Sequence, residues 1–342
     1  MSARPGEDLG RSGHTETVPV DWYSECDSPA TIEAIAEALR AAGHQVYLVE
    51  ADHALPKWFL THPVDLVFNI AEGTRGAHRE SHIPAILESL KIPFTGSTSL
   101  TLALALDKAK TKQLLVQEGI PTPPWQVFEF VEAPLTPSLS FPLIVKPNAE
   151  GSAKGISRES VVWDDAALCR QVRWVLERYR QAALVEAFIE GTELTVGIFD
   201  NEPPHALPVL EIDFSSCRAS GEFFYSWRMK EYQGYTDLGL RPTFYCPARL
   251  SPELTARVQA VALRAHQALG CRDLSRIDIR LRADGMPFVL EVNPLPGLDP
   301  HESNFPMMTT AAGWSYPAMI NRLAEIALRR DRADAHTQEL SA

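Results

Sequence analysis

Long apolar runs are missing from this sequence. The longest, residues 100–106, is seven residues and contains a Thr, against the roughly 18 needed to cross a bilayer. A membrane-spanning chain is therefore excluded. Cysteine is scarce: there are five, an odd number, with no CxxC pair. That pattern reads as reduced thiols in a cytoplasm, not as a disulfide framework or a zinc site. The start has no apolar h-region, so no secretory signal is expected. No GKS or GKT occurs, which excludes a Walker A loop. Positive charge is in deficit, with 32 Lys and Arg against 44 Asp and Glu and a net charge of −12. This argues against nucleic acid or an anionic membrane surface as partner. What remains is 342 residues, 45% apolar and 22% charged, an ordinary globular composition. At about 150 residues per domain it predicts two or three domains.

Residues 1–17 are polar and aperiodic and read as a disordered tail, as do residues 331–342. Ser28-Pro29 is an N-cap with Pro at the first helical position. Ile32, Ile35, Ala36 and Leu39 then repeat at helical spacing until Gly43. Residues 45–49 and 65–71 read as buried strands, 83–90 as a helix and 93–96 as a short strand. This alternation predicts a parallel α/β domain over 18–98. A long helix is expected over 100–118. Strands are expected over 141–147, 183–189, 193–200 and 207–214, with a helix over 166–179. Together they suggest a central α+β unit (99–190) and a C-terminal one (191–330). Residues 215–245 read as a long loop of the kind that forms lids, with Gly221, Gly234 and Gly239 as hinges. Ser251-Pro252 opens another helix, 277–281 and 287–292 form a hairpin, and 315–330 a terminal helix.

Four motifs carry chemistry. Alternation places Arg276, Asp278 and Arg280 on one face of the hairpin, and Glu291 and Asn293 on one face of its partner strand. Two carboxylates and an amide make a hard-oxygen site of the kind Mg²⁺ prefers, completed by phosphate oxygens and water. A solvated hairpin face is the bland reading of the same pattern. Lys146-Pro-Asn-Ala-Glu150-Gly-Ser152-Ala-Lys-Gly155 leaves a strand and offers backbone N–H groups to phosphate oxygens. Lys108 and Lys112 share a helix face, whose default reading is solvated. In residues 185–193 an extended segment can read an adenine edge, and Glu193 can hold ribose hydroxyls.

The order of these motifs resembles the ATP-grasp superfamily and, within it, the D-alanine–D-alanine ligase family. The resemblance runs over residues 18–330 and is carried by IPFTGS at 92–97, ALALDK at 103–108, EGS at 150–152 and EVNPLPG at 291–297. It implies an ATP-grasp fold, α/β and α+β, with an N-terminal Rossmann-like (pre-ATP-grasp) domain and ATP between two antiparallel sheets. It also implies an ATP-dependent ligase that makes an acyl phosphate and passes the acyl group to an amine. The co-substrate is ATP, with Mg²⁺ or Mn²⁺, on small amino-acid or carboxylate substrates, in a possible homodimer. By position, Lys108 and Lys146 match phosphate lysines. Glu186, Phe188 and Ile189 match the adenine hinge, with Phe224 beside the base, and Glu193 matches the ribose contact. Lys230 matches the lysine at the γ-phosphate. Asp278, Glu291 and Asn293 match the metal ligands, Arg276 and Gly297 the groups facing the tetrahedral intermediate, and Ser152 and Ser303 residues near the substrates.

The amino-acid machinery departs from the family pattern. Glu231 stands where a tyrosine normally follows the γ-phosphate lysine, and Ala153 replaces the second serine of a pair. Arg79 and Glu80 replace an acidic pair. Glu25 is the candidate for the substrate glutamate of the N-terminal domain, although spacing alone leaves it open. These changes predict an enzyme that uses D-alanine poorly and prefers at least one other substrate. One alternative is a ligase for other amino acids or a larger acid in specialised metabolism. Another is a nucleotide-binding regulatory protein without catalysis, which retention of the metal and phosphate residues disfavours.

Overall fold

The structure, a computed structural model, describes residues 19–341 except Tyr23, Thr74, Glu202 and 233–237, with side chains to residue 332. The predicted N-terminal tail and the hinge at Gly234 lie outside the described residues. Helix α1 (Pro29–Ala41) begins as the sequence predicts: the Ser28 side chain accepts from Thr31 N at 3.0 Å. Its stripe of Ile35, Ala38 and Leu39 packs against helices α9 (Asn304–Ala311) and α10 (Tyr316–Ser341), through Phe305, Met319 and Leu323. Helix α10 runs on through residues expected to form a flexible tail.

The first 98 residues hold less sheet than predicted. Helices α2 (Leu55–Phe59) and α3 (His82–Leu90) form. Residues 45–49 join no ladder, and of the expected parallel pairing only a Val67–Phe94 bridge forms. The physical reason lies in nearby side-chain oxygens. The N–H of Asn69 donates to Thr95 Oγ1 at 2.9 Å, and that of Ala71 to Asn69 Oδ1 at 3.3 Å. Amides that a ladder would use are thereby taken.

The helix expected over 100–118 is two helices, α4 (Ser99–Leu106) and α5 (Lys108–Gln117). Asp107 between them is extended, and its carboxylate caps α5 by accepting from Lys110 N at 3.0 Å. Asn148 donates to the same oxygen at 2.8 Å. The break places Lys108 at the start of α5 and turns it inward.

Two antiparallel sheets follow. Strands β1 (Trp125–Phe128), β2 (Leu143–Pro147), β3 (Val161–Val162) and β4 (Ala183–Ala187) form the first, in the order β1-β4-β2-β3. Helix α6 (Asp165–Tyr179) covers one face with Leu168, Val172 and Val175. The second sheet contains β5 (Thr192–Phe199), β6 (His205–Ala206), β7 (Leu210–Asp213), β8 (Thr243–Tyr245), β9 (Leu274–Leu281) and β10 (Pro287–Asn293). Its order is β10-β9-β5-β7-β8, with β6 paired to β5. Helix α8 (Pro252–Ala268) packs Val258, Ala262 and Ala265 onto Val196, Ile277 and Val289. Full burial of each such valine or isoleucine side chain stabilises by about 1.5–3 kcal/mol. The other faces of the two sheets border one cavity. The predicted loop over 215–245 is partly ordered secondary structure. It contains a 3-10 turn at Ser215–Ser220, helix α7 (Trp227–Tyr232) and β8, and it buries Cys217, Phe224 and Met229.

Candidate active site

The hairpin of β9 and β10 sets the floor of the cavity. Asp278 pairs with Glu291, and Arg276 with Asn293, across the ladder. Opposed residues share a face, so all four side chains turn to the same side. A register shift between Val289 and Glu291 makes this possible. Val289 and Val292 are both in the core, whereas Leu290 and Glu291 both border the cavity. Such a bulge re-aims a strand; strict alternation from Phe288 would have hidden Glu291. Arg276 grips Asp278 with a two-pronged fork, Nε to Oδ1 at 3.0 Å and Nη2 to Oδ2 at 2.9 Å. Thr195 on β5 donates to the same carboxylate at 2.7 Å.

Lys146, Lys108, Glu186 and Glu291 line the inner wall, with Lys112 buried behind Glu186. Lys146, at the end of β2, donates to Glu186 Oε1 on β4 at 2.6 Å. Lys112, 1% exposed, pairs with Glu186 Oε2 at 2.7 Å and donates to Thr122 Oγ1 at 2.7 Å. The sequence left Lys112 on a solvated helix face; instead, the turn created by Asp107 buries that face. Burial of Lys112 pushes its pKa down to about 8 against the pull of Glu186. Burial raises the pKa of Glu186, but Lys112 and Lys146 outweigh it and hold the carboxylate below the usual range. With both oxygens engaged, Glu186 serves here to hold Lys146 in place, not to offer a free carboxylate to a base. Lys108 donates to Glu291 Oε1 at 2.9 Å and to the carbonyl of Glu150. Burial opposes its charge, yet Glu291 prevails and its pKa rises.

The Gly- and Ser-rich loop at 150–155 is held from outside by the segment before α1. Asp21 accepts from Gly155 N at 2.8 Å and from Tyr179 Oη at 2.6 Å, and Glu25 accepts from Gly151 N at 2.8 Å. Ser152 adopts φ +51°, in the left-handed region that few side chains visit. Its hydroxyl accepts from Lys230 Nζ of α7 at 2.8 Å. Burial and the nearby Arg276 lower the pKa of Lys230. Trp227 closes α7 onto the same segment, its Nε1–H donating to Ser24 Oγ at 2.7 Å. At the far end, Gly297 lies against Ser303: a Cβ there would sit 2.9 Å from Ser303 Oγ. That hydroxyl accepts from Asp299 N at 3.0 Å.

Aromatic rings form the remaining wall. Phe188 meets Phe223 and Phe224 edge-on at 5.8 and 6.1 Å, and the Arg280 guanidinium lies 5.7 Å from the Phe188 ring. Arg280 also donates to Glu193 at 2.6 Å. Ile189 completes the edge. A flat, weakly polar slot bounded by a carboxylate suits a nucleoside.

These groups converge on a cavity of about 550 Å³. Every residue that the resemblance matches to a role borders it, whereas Lys112, Arg79 and Glu80 do not. Arg79 is 4% exposed and forks onto Glu25, with Nη2 to Oε1 at 2.6 Å and Nε to Oε2 at 3.0 Å. It also pairs with Glu150 at 3.2 Å. Lys154 closes the cluster with Glu25 at 2.8 Å and also pairs with Glu150. Arg79, which stands where the family pattern has an acidic residue, offers no free cation to the cavity, because its charge is met by Glu25 and Glu150. Lys112, Lys154 and this cluster are the groups that sequence reasoning missed. The only signal was the i, i+4 spacing of Lys108 and Lys112.

Glu80 borders a much smaller void behind the cavity, with Glu25, Glu72 and Glu291. Burial, and then the charge of Glu25, push its pKa up to about 8 from an ordinary 4.5. Between those values the folded chain binds more protons than the unfolded one, so this contribution to stability is full below pH 4.5 and lost as pH rises through 8. Glu80→Gln, which mimics the protonated acid, is expected to flatten the fall in melting temperature between pH 5 and 8. Parallel curves for the two proteins would contradict this.

Asp278, Glu291 and Asn293 offer hard oxygens on one face. Among the described residues no group of three or more His, Cys, Asp or Glu is arranged to hold a metal ion alone. The set therefore fits a Mg²⁺-type ion whose shell is completed by phosphate oxygens and water, and it does not fit a closed protein cage.

The family profile described as the D-ala D-ala ligase C-terminus matches residues 114–325. The D-alanine–D-alanine ligase of Pelotomaculum thermopropionicum is 33% identical over 308 residues, covering 87% of this chain and 91% of that protein. That of Methylacidiphilum infernorum is 34% identical, covering 89% and 91%. Among solved structures, the Bacillus anthracis D-alanine–D-alanine ligase complexed with ATP superposes with a TM-score of 0.72 at 27% identity, covering 89% and 94%. The VanG D-Ala:D-Ser ligase of Enterococcus faecalis gives 0.63 at 27%, covering 77% and 73%. No helix among the described residues is long and apolar enough to cross a membrane. The two facing antiparallel sheets, the converging lysines and carboxylates, and these similarities give one conclusion: the chain belongs to the D-alanine–D-alanine ligase family, ATP-grasp enzymes that use ATP to join a carboxylate to an amine.

Proposed function

We propose that this chain ligates two small substrates, at least one of them other than D-alanine, through an acyl phosphate in the cavity between its sheets. The observation that carries the reading is the juxtaposition of Asp278, Glu291, Lys108 and Arg276 on one cavity floor. ATP lies with its base against Phe188, Ile189 and Phe224, its ribose at Glu193 and its phosphates toward Lys146, Lys108 and Lys230. A divalent ion held by Asp278, Glu291 and Asn293 neutralises phosphate charge when bound. A carboxylate oxygen of the first substrate attacks the γ-phosphorus and the bond to ADP breaks. The amine of the second substrate then attacks the acyl carbon, loses a proton, and phosphate leaves. Arg276 and the Gly297 N–H face the oxyanion, where fixed donors act most strongly. Ser152 and Ser303 border the substrates, and α7 over Ser24 and Ser152 keeps water from the acyl phosphate. The reading places the enzyme in the cytoplasm, in keeping with five free cysteines, and allows a homodimer.

The substrate shift rests on two features. Glu25, the candidate substrate glutamate of the N-terminal domain, is sealed by Arg79 and Lys154. Glu231, exposed at the cavity mouth, sets a carboxylate where the family pattern has a phenol. ADP release measured against a panel of D- and L-amino acids, with mass spectrometry of products, tests the proposal. The expected result is amino-acid-dependent release with a kcat/KM for D-alanine below that of another substrate. D-alanine as the best substrate, with its dipeptide as sole product, refutes the shift; no amino-acid-dependent release refutes the ligase.

A further inference from the structure

The loop after β2 commits most of its backbone amides to the protein itself. Gly151 N donates to Glu25 Oε1 and Gly155 N to Asp21 Oδ2, both at 2.8 Å. Lys154 N reaches back to the carbonyl of Gly151 at 2.9 Å, and Ile156 N to that of Ala153 at 3.0 Å. The amides of Ser152 and Ala153, between these anchors, meet no acceptor among the described residues. Both residues border the cavity. Two successive free amides at the tip of a turn form the kind of concave donor pair that takes an anion.

That tip has to be held in place. Ser152 and Ala153 have φ of +51° and +56°, a left-handed pair that persists only where its surroundings over-determine it. On the cavity side Lys230 holds the Ser152 hydroxyl. On the outer side the loop ends at Gly155, with φ +72°. Gly155 is buried so closely between β2 and α6 that a Cβ there would sit 2.5 Å from Pro147 Cγ and 3.1 Å from Tyr179 Cε2. A buried backbone N–H at such a point needs an acceptor, and Asp21 is the one that meets it.

Asp21 is 3% exposed. Its Oδ2 takes both Gly155 N and, at 2.6 Å, the Tyr179 hydroxyl. The backbone that carries it is fixed in a turn: Trp22 N donates to the carbonyl of Pro19 and Ser24 N to that of Asp21, each at 3.1 Å. Ser24 is tied in turn to Trp227 of α7. Asp21 is not among the residues that border the cavity, so its effect on a bound molecule passes through Gly155.

We propose that Asp21 is a positioning residue for nucleotide phosphates: by holding Gly155 from outside the cavity, it keeps the Ser152 and Ala153 amides preformed for phosphate oxygens. Without it the loop is ordered only as nucleotide binds, and that ordering lowers affinity. The assignment rests on the proposed ligase reading, in which this loop faces phosphate. It adds to that reading a residue of the N-terminal segment that touches neither nucleotide nor substrate.

The test compares two ligands: the non-hydrolysable ATP analogue AMP-PNP with Mg²⁺, and adenosine, which fits the aromatic slot and has no phosphate. Dissociation constants are measured by calorimetry, adenosine as competitor, for wild type, Asp21→Ala, Asp21→Asn and Tyr179→Phe. Asp21→Ala is expected to weaken AMP-PNP by on the order of 10- to 100-fold, the effect of a lost charge-assisted hydrogen bond, and adenosine by less than about threefold. Asp21→Asn keeps an acceptor oxygen for Gly155 N, and Tyr179→Phe leaves that bond in place, so both are expected near wild type. A dissociation constant belongs to the folded fraction, so lower stability does not imitate this pattern. If the alanine variant does not fold, Asp21→Ser, whose side chain is too short to span to Gly155, gives the same comparison. Wild-type affinity for AMP-PNP in Asp21→Ala, or equal weakening of both ligands, overturns the inference and leaves the ligase reading standing. A loss in Tyr179→Phe as large as in Asp21→Ala also overturns it. If wild type binds AMP-PNP no more tightly than adenosine, the phosphate site falls, and the ligase reading with it.

Discussion

Glu291→Ala is expected to reduce ADP release by on the order of 10³-fold, with the chain still folded. Two losses combine. A metal clamp on transferring phosphoryl oxygens contributes several kcal/mol of charge stabilisation, and each 1.36 kcal/mol is tenfold in rate. The change also leaves Lys108, 5% exposed, without its anion. Stripping one partner from a buried pair destabilises by about 3–5 kcal/mol. Glu291 itself is 27% exposed, so solvent screening reduces that figure here. Glu291→Gln keeps an acceptor for Lys108 and separates the two effects: it should restore most of the melting temperature and little of the rate. Near wild-type ADP release from Glu291→Ala would remove the hairpin from the proposed phosphate site.

Arg276→Lys is expected to cost on the order of 10²-fold in kcat, although the charge is conserved. The guanidinium uses Nε and Nη2 to grip both oxygens of Asp278, which leaves Nη1 for an oxyanion. An ammonium is a point charge and cannot make the fork and face the cavity in the same geometry. Loss of one preorganised oxyanion donor typically costs 10²- to 10³-fold. Steady-state kinetics at saturating ATP read the effect; a loss below about threefold would make Arg276 a structural partner of Asp278 alone.

The half of the site proposed to face phosphate was legible in the sequence because it is carried by local patterns. The hairpin alternation put Arg276, Asp278, Glu291 and Asn293 on a common face, and the structure places them there. The reason was only partly legible, since the bulge at Leu290 that turns Glu291 inward leaves no trace in a period-2 pattern. Lys112 was opaque for a different cause. Its burial depends on Asp107 breaking the helix and on Glu186, 74 positions away, presenting an oxygen. The Glu25–Arg79–Lys154 cluster joins three distant segments, and no spacing predicts such a closure. In the N-terminal region, apolar runs read as strands, but ladder amides are claimed by Thr95 and Asn69 side chains.

The central claim, activation of a carboxylate by ATP, is tested most directly by isotope transfer. The amino acid that gives the highest ADP release is supplied with ¹⁸O in its carboxylate, and the phosphate released is weighed. An acyl phosphate formed by carboxylate attack predicts one ¹⁸O in each phosphate released with product. Phosphate without ¹⁸O, released at the same rate, would show that water and not the carboxylate attacks ATP, and would contradict the account.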